Sequence, residues 1–216
     1  MRLESNTILG GVGALLMVLS ILGVLGVPYT LFLLVVGAIL VLIALKGFAD
    51  HYQDGGIFNN ALYGFITVMV GGVAVIAVLV ILLSPLIAEL TGMELDVGNP
   101  MAMQQFIRQF VVEHLQQILG AFLGAYLLLV ISVIVSGVLF RKSLNALSTR
   151  SGEKMFGTAG MVWLIGAVLT IVLIGLIVIW ISWILLAVGF FSLKTAQAPV
   201  QPAVVQPPQP PQPPPP

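Results

Sequence analysis

The stretch MFGTAGMVWLIGAVLTIVLIGLIVIWISWILLAVGFFSL, residues 155–193, contains 39 residues and no charged side chain. One α-helix of that length would measure about 58 Å, roughly twice the ~30 Å thickness of the hydrocarbon layer of a bilayer. Two antiparallel helices joined by a tight turn near Gly175 fit this layer better than one tilted crossing. The stretch therefore predicts a membrane-spanning hairpin.

The composition of the whole chain agrees with this environment. Of its 216 residues, 59% are hydrophobic and 7% are charged. A soluble domain carries roughly a quarter charged residues, so eight acidic and eight basic side chains are too few to give this chain a polar surface. We predict a multi-pass protein of the cell membrane. The net charge of zero argues against a nucleic-acid partner, and the lack of cysteine excludes disulfides and thiolate sites.

Further apolar segments precede the hairpin. The first run is interrupted by Pro28 and Tyr29, which predicts a first tight hairpin because the whole run is too long for one crossing. A third helix is expected to end at Ser84-Pro85. The predicted fold class is all-α, a polytopic transmembrane helix bundle in residues 1–194. Its six spans are predicted at about residues 7–27, 30–46, 57–84, 115–140, 156–174 and 176–193.

Two segments lie outside the predicted spans. Residues 85–114 form an acidic extracytoplasmic connection with an amphipathic helix that starts at Asn99-Pro100, where asparagine caps and proline is tolerated. This helix is expected to lie in the membrane interface or to extend the next span. Residues 195–216 hold ten of the thirteen prolines and predict a disordered cytoplasmic tail. The tail is either a passive tether or the ligand of a tail-binding protein.

The distribution of cationic side chains predicts the orientation. Seven of the eight lysines and arginines fall on the side of both termini, and Arg108 falls on the other side. Cationic residues near span ends stay in the cytoplasm, so both termini are predicted to be cytoplasmic. Four of these residues are also expected to contact the head groups of anionic membrane lipids. They are Arg141, Lys142, Arg150 and Lys154.

The polar stretch LKGFADHYQDGGIFNNALYG, residues 45–64, separates the second and third spans. Two carboxylates and an imidazole within five positions form a weak candidate site for a divalent ion or for proton transfer. A solvated turn is the favoured interpretation, because a metal site needs more ligands. The candidate residues are Asp50, His51 and Asp54, and a structural polar clasp to a neighbouring helix is predicted for Asn59, Asn60 and Tyr63.

Small residues recur at four-residue intervals in the fourth span. Gly120, Gly124, Ser132 and Ser136 would let another helix approach closely, either within the chain or in a second copy. Trp180 and Trp183 are expected near the outer interface, where tryptophan is enriched.

No Asp, Glu, Lys, Arg or His lies well inside a predicted span. Ion-coupled transporters and intramembrane enzymes usually keep such a group on their pathway. We therefore predict no catalytic residue, cofactor or metal, and expect a non-enzymatic membrane component that packs with itself or with other membrane proteins. The alternatives are a small channel or permease for an uncharged solute, and an enzyme that uses the candidate site. A channel would be lined by Thr67, Ser132, Ser136 and Thr170.

Several quoted segments resemble an archaeal membrane-protein family, domain of unknown function 996. They are LKGFADHYQDGGIFNNALYG, MFGTAGMVWLIGAVLTIVLIGLI, AVGFFSLK and the proline-rich end. The resemblance covers about residues 6–194; IFNNALY and FFSLK are its most specific parts, and residues 85–114 resemble the family least. It implies a small polytopic membrane protein of archaeal type and brings no activity, cofactor or catalytic residue with it.

The predicted orientation is testable because the chain has no cysteine of its own. A membrane-impermeant maleimide should label Glu94→Cys in intact cells and should label Thr195→Cys only after the cells are opened. Labelling of Thr195→Cys in intact cells would overturn the orientation.

Overall fold

Helices make up the described part of the chain. A computed structural model describes residues 3–23, 30–92 and 100–196, and within these ranges it contains seven α-helices, two short 3-10 turns and no strand. The predicted turn at Pro28 and Tyr29, the predicted cap Asn99 and the tail beyond residue 196 lie outside these ranges. The helices are α1 (Leu3–Leu19), α2 (Leu31–Tyr52), α3 (Gly55–Gly92), α4 (Pro100–Glu113), α5 (Leu115–Ser151), α6 (Lys154–Leu169) and α7 (Gly175–Ala196).

Five of the helices are long and apolar enough to cross a membrane. They are α2, α3, α5, α7 and α6 extended by its 3-10 turn to Val172. Helix α1 is apolar but has only 17 residues. The prediction of a helical membrane protein therefore agrees with the structure, and length and composition support five of the six predicted crossings.

The helices pack as a ring in the order α3, α5, α6, α7, α1 and α2, which returns to α3. Large aromatic side chains fill its interior in two layers. In one layer, Phe190 stacks on Phe48 and meets the edge of Phe156. In the other, Phe140 stacks on Trp163 and meets Trp183 edge-on. Trp183 is only 8% exposed, so the predicted interface position of this residue is wrong.

The α6–α7 hairpin turns where it was predicted. Thr170–Val172 forms a 3-10 turn, Leu173 has a left-handed backbone with φ of 67°, and α7 starts at Gly175. A Cβ atom at Gly175 would overlap the carbonyl oxygen of Gly166. Glycine therefore allows α6 and α7 to touch at the turn, although no proline marks the turn.

Helix α3 does not end at Ser84-Pro85 as predicted, because it continues to Gly92 with Pro85 inside it. Proline has no backbone N–H and leaves the carbonyl four residues earlier without its helical donor. The hydroxyl of Ser84 donates to that carbonyl, the oxygen of Ile81, at 3.0 Å. The neighbouring serine thus replaces the missing hydrogen bond, so residues 85–92 belong to the helix and not to the connection.

Helix α5 also extends past its predicted end at Phe140 and reaches Ser151. Its added turns contain Ser143, Leu144 and Leu147, which are all buried against the bundle. Packing therefore continues the helix beyond Arg141 and Lys142. Gly152 ends it with a φ of 77°, while its N–H bonds to the carbonyl of Ser148.

The amphipathic helix α4 is nearly continuous with α5. The N–H of His114 bonds to Phe110, and the carbonyl of His114 accepts from Ile118, each at 3.0 Å. These bonds carry the helical ladder across the break at His114. Of the two predicted positions, the structure favours α4 as an extension of the following span.

Close contact between α1 and α2 depends on glycine. A Cβ atom at Gly37 would lie 2.6 Å from the carbonyl oxygen of Gly13 and 2.7 Å from Met17 Cγ, whereas one at Gly72 would meet nothing within 4 Å. We expect Gly37→Ala to lower the free energy of unfolding by about 1–3 kcal/mol, because the helices must separate. The control Gly72→Ala should be neutral or stabilise by up to ~1 kcal/mol. Tryptophan fluorescence during denaturation in detergent measures both, and equal stabilities would contradict the close packing.

Candidate functional site

The turn between α2 and α3 carries the polar residues that the sequence singled out. We call residues 46–60 the elbow. Gln53 adopts a left-handed backbone with φ of 53°, and its N–H bonds to Ala49 at the end of α2. Asp54 accepts a hydrogen bond from the N–H of Gly56 at 3.0 Å through Oδ1. The centre of the elbow is therefore a two-residue turn, Gln53 and Asp54, stabilised by hydrogen bonds within the elbow.

The three residues of the weak candidate site have separate partners. Asp50 pairs with Lys46 at 2.7 Å on α2, and Asp54 Oδ2 pairs with Arg150 Nε at 3.1 Å. His51 is exposed and lies edge-on to Tyr52. Among the residues that the structure describes, no three His, Asp or Glu side chains converge on a possible metal position. The observed geometry is that of a solvated turn tied to the end of α5.

Within the described part of the chain, no hydrogen bond joins a predicted clasp side chain to a neighbouring helix. Asn60 donates to the carbonyl of Gly56 in its own helix at 2.8 Å, Asn59 is exposed, and Tyr63 is 57% exposed. Near the elbow, α3 and α5 are instead joined by Ser143, whose hydroxyl donates to the carbonyl of Ile57. This bond was not predicted, because Ser143 directly follows two basic residues in the sequence.

The strip of small residues on α5 divides into two parts. Ser132 lies against Gly71 of α3, where a Cβ atom would overlap its side chain, and Ser136 is fully buried next to Gly64. A Cβ atom at Gly120 or Gly124, by contrast, would meet nothing within 4 Å. The serines thus pack within the chain, and the two glycines face open space.

The four basic residues predicted to contact lipid head groups have different surroundings. Arg150 is paired with Asp54, and Lys154 is exposed at the start of α6. Arg141 and Lys142 line a groove of about 360 Å³ at the junction of α5 and α6. The remaining lining residues of this groove are Val138, Asn145 and Leu164.

A larger groove of about 640 Å³ runs along α2 beside the elbow. Its lining changes from Ile39 and Ile43 to Lys46, Asp50 and His51 as α2 approaches its end. Lys46 is paired with Asp50 and also lies 5.5 Å from the centre of the Phe58 ring. The cation of this groove is therefore already compensated.

At the opposite end of the α3–α5 pair, His114 ties α5 to α3. Its Nε2 lies 3.2 Å from Glu89 Oε2, and its Nδ1 lies 3.0 Å from the carbonyl oxygen of Phe110. A third groove, of about 630 Å³, lies beside it on α4 and contains Arg108 together with Glu113.

Comparison with known proteins identifies the family of this chain. The family model described as "Protein of unknown function (DUF996)" matches residues 33–184, well over half of the chain. The chain belongs to the DUF996 family. "Uncharacterized protein MJ1644" of Methanocaldococcus jannaschii is 31% identical over 197 residues, which cover 89% of this chain and 94% of that relative. No solved structure matches the chain. The resemblance noted from the quoted segments is thus confirmed, and the family supplies no activity.

Two buried serines on α5 offer a matched test of the α3–α5 contact. Ser143 donates to Ile57, whereas the hydroxyl of Ser136 is buried without a hydrogen-bond partner among the described residues. We expect Ser143→Ala to cost about 1 kcal/mol of stability and Ser136→Ala to cost nothing or to stabilise. Denaturation in detergent measures both variants. A larger loss at Ser136 than at Ser143 would contradict the assigned bond.

Proposed function

We propose that this DUF996 protein is a non-enzymatic membrane component that works as a dimer, with the exposed face of α5 packed against a second copy. The observation that carries the proposal is the uneven burial of the spans. In an apolar 18-residue stretch of α3 only 6% of residues are buried, and in such a stretch of α5 17%, against 39% in those of α2, α6 and α7. The α3–α5 pair therefore offers most of its apolar surface to its surroundings.

The apolar surface of α3 and α5 is most exposed beyond the α6–α7 turn, where the α6–α7 hairpin no longer covers it. The hydroxyl of Tyr126 donates to the carbonyls of Thr170 and Ile171, which ties α5 to the α6–α7 turn. Farther out, α3 and α5 continue as a pair, and Gln117 donates to the carbonyl of Leu82 at 3.0 Å. The exposed large side chains of this part include Ile81, Ile87, Leu115, Leu119, Phe122 and Leu123.

Glycine makes this surface suitable for a helix as well as for lipid. Gly120 and Gly124 lie one turn apart on α5 with open space beside them and with exposed Phe122 and Leu123 close by in sequence. In a bilayer, helices associate mainly through close backbone approach at small residues, because lipid tails are as apolar as leucine. A second α5 in this notch gains contacts that lipid chains make less well.

The proposed topology has six crossings, with α1 as the first. Helix α1 and its 3-10 turn reach Gly23 and together measure about 33 Å. Gly13 of α1 lies against Gly37 of α2, and Trp180 of α7 donates to the carbonyl of Val18 at 3.0 Å. Because α1 lies between two candidate spans along its length, we place it in the same layer as those helices.

The orientation with both termini in the cytoplasm is supported by the ion pair between Asp54 and Arg150. This pair brings the α2–α3 turn and the α5–α6 turn to one end of the bundle. Lys46 and Lys154 lie near the same turns, so the cationic residues gather there, as the cytoplasmic side requires. Recognition of the proline tail by a partner protein stays a prediction.

The placement of the polar side chains favours a filled bundle over a channel. Thr67, Ser132 and Thr170 each donate to a carbonyl of their own helix. Aromatic rings occupy the interior between the helices, as the contacts of Phe140 with Trp163 and Trp183 illustrate. A pathway for an uncharged solute would need these hydroxyls to face one another around open space.

Cysteine cross-linking in membranes tests the dimer. Gly124→Cys should form an intermolecular disulfide, whereas Val168→Cys, at an exposed position of α6, should not. The natural chain has no cysteine, so each disulfide reports one position. In detergent, light scattering should give twice the 22.9 kDa chain mass for the natural protein and the single mass for Gly120→Leu/Gly124→Leu. A monomeric natural protein, or equal cross-linking at both positions, would overturn the proposal.

A further inference from the structure

We propose that the groove between α5 and α6 binds the phosphate head group of one anionic membrane phospholipid. The inference rests on the proposed membrane embedding and is independent of the dimer. The binding groups are Arg141, Lys142 and Asn145 at one end of the groove, and the apolar floor is formed by Val138 and Leu164. The site is distinct from the elbow, because neither the candidate carboxylates nor His51 lines it.

Charge distinguishes this groove from two other grooves that contain a cation. In the groove beside the elbow, Lys46 is paired with Asp50, and the groove on α4 holds Glu113 together with Arg108. Among the described residues, the lining of the α5–α6 groove contains two cations and no acidic side chain. Neither cation forms an ion pair with another described residue. An anion is therefore the ligand that complements it.

The lining of the groove changes from apolar to cationic along α5, in the same order as the chain and head group of a lipid. Val138 precedes Arg141 by three residues and Asn145 follows it by four, so both lie on the same side of α5 as Arg141. The lining of α5 thus extends about 10 Å along the helix axis. Its apolar end points toward the middle of the span, and its cationic end points toward the end of α5 at Ser151. A lipid chain and its head group follow the same order.

Close contact between the two helices fixes the position of the cationic end. A Cβ atom at Gly160 of α6 would lie 3.2 Å from Arg141 Cα, so the two backbones nearly touch there. The backbone of Arg141 is therefore held against α6. A guanidinium binds phosphate oxygens in a bidentate manner, and the neighbouring ammonium adds a second charge-assisted bond. The same two positive charges would repel the choline cation of phosphatidylcholine.

Native mass spectrometry of the purified full-length protein tests the site. Titration with phosphatidylglycerol should show one tightly bound lipid, and phosphatidylcholine should bind at least tenfold more weakly. Arg141→Gln and Lys142→Gln should each reduce phosphatidylglycerol affinity about fivefold, since each cation contributes on the order of 1 kcal/mol. The matched control Lys154→Gln removes an exposed cation outside the groove and should change affinity less than twofold.

Separate measurements check that the variants fold, that the site selects the lipid head group, and that the lipid site does not depend on the dimer. Unchanged melting temperatures of the variants without added lipid would show that they fold, and Leu164→Trp should also weaken lipid binding by filling the apolar floor. Equal binding of the two lipids, or equal losses in Lys154→Gln and Arg141→Gln, would overturn the proposal. Displacement of phosphatidylglycerol by equimolar inorganic phosphate would identify a free-anion site and overturn it as well. A monomeric protein that holds one phosphatidylglycerol would overturn the dimer and support the lipid site.

Discussion

A peptide group without a hydrogen-bond partner is costly in hydrocarbon, and this constraint governs the structure. It explains why the described chain is helical, and also how its irregular points are repaired. Ser84 supplies the donor that Pro85 lacks, and Tyr126 donates to two carbonyls at the end of α6. Trp180 does the same for Val18 at the end of α1. At these points polar side chains therefore bond to the backbone, whereas the buried hydroxyl of Ser136 has no partner among the described residues.

Once the backbone is satisfied, shape decides which helices meet. Lipid tails and leucine side chains are equally apolar, so close approach and ring packing select the contacts. Gly13 and Gly37 let α1 lie on α2, and Phe140 fills the space between α3, α6 and α7. Aromatic rings thus occupy the interior between these helices. Gly124 and Arg141, on which the proposed dimer and lipid contacts depend, are exposed on the outside of this interior.

The sequence predicted what depends on length and composition. Residues 155–193 indicate two helices, and Gly175 marks their turn correctly. What it missed depends on which side of a helix faces protein. Trp183 is buried in the core and Ser143 bonds across helices, yet both look like boundary residues, because hydrophobicity does not distinguish a lipid-facing position from a core position. Asn60 does not form the predicted clasp, because its side chain donates to the carbonyl of Gly56 in its own helix.

The unequal lengths of the helices have a consequence for the surrounding bilayer. Helices α3 and α5 measure about 57 Å and 56 Å, whereas α6 with its 3-10 turn measures about 30 Å. The helices on one flank of the molecule, the tall flank, are thus about twice as long as α6 on the other flank. Lipids beside the tall flank must stretch or the pair must tilt, and either response costs elastic energy. In a bilayer, this difference in helix length would favour a locally thick membrane beside α3 and α5.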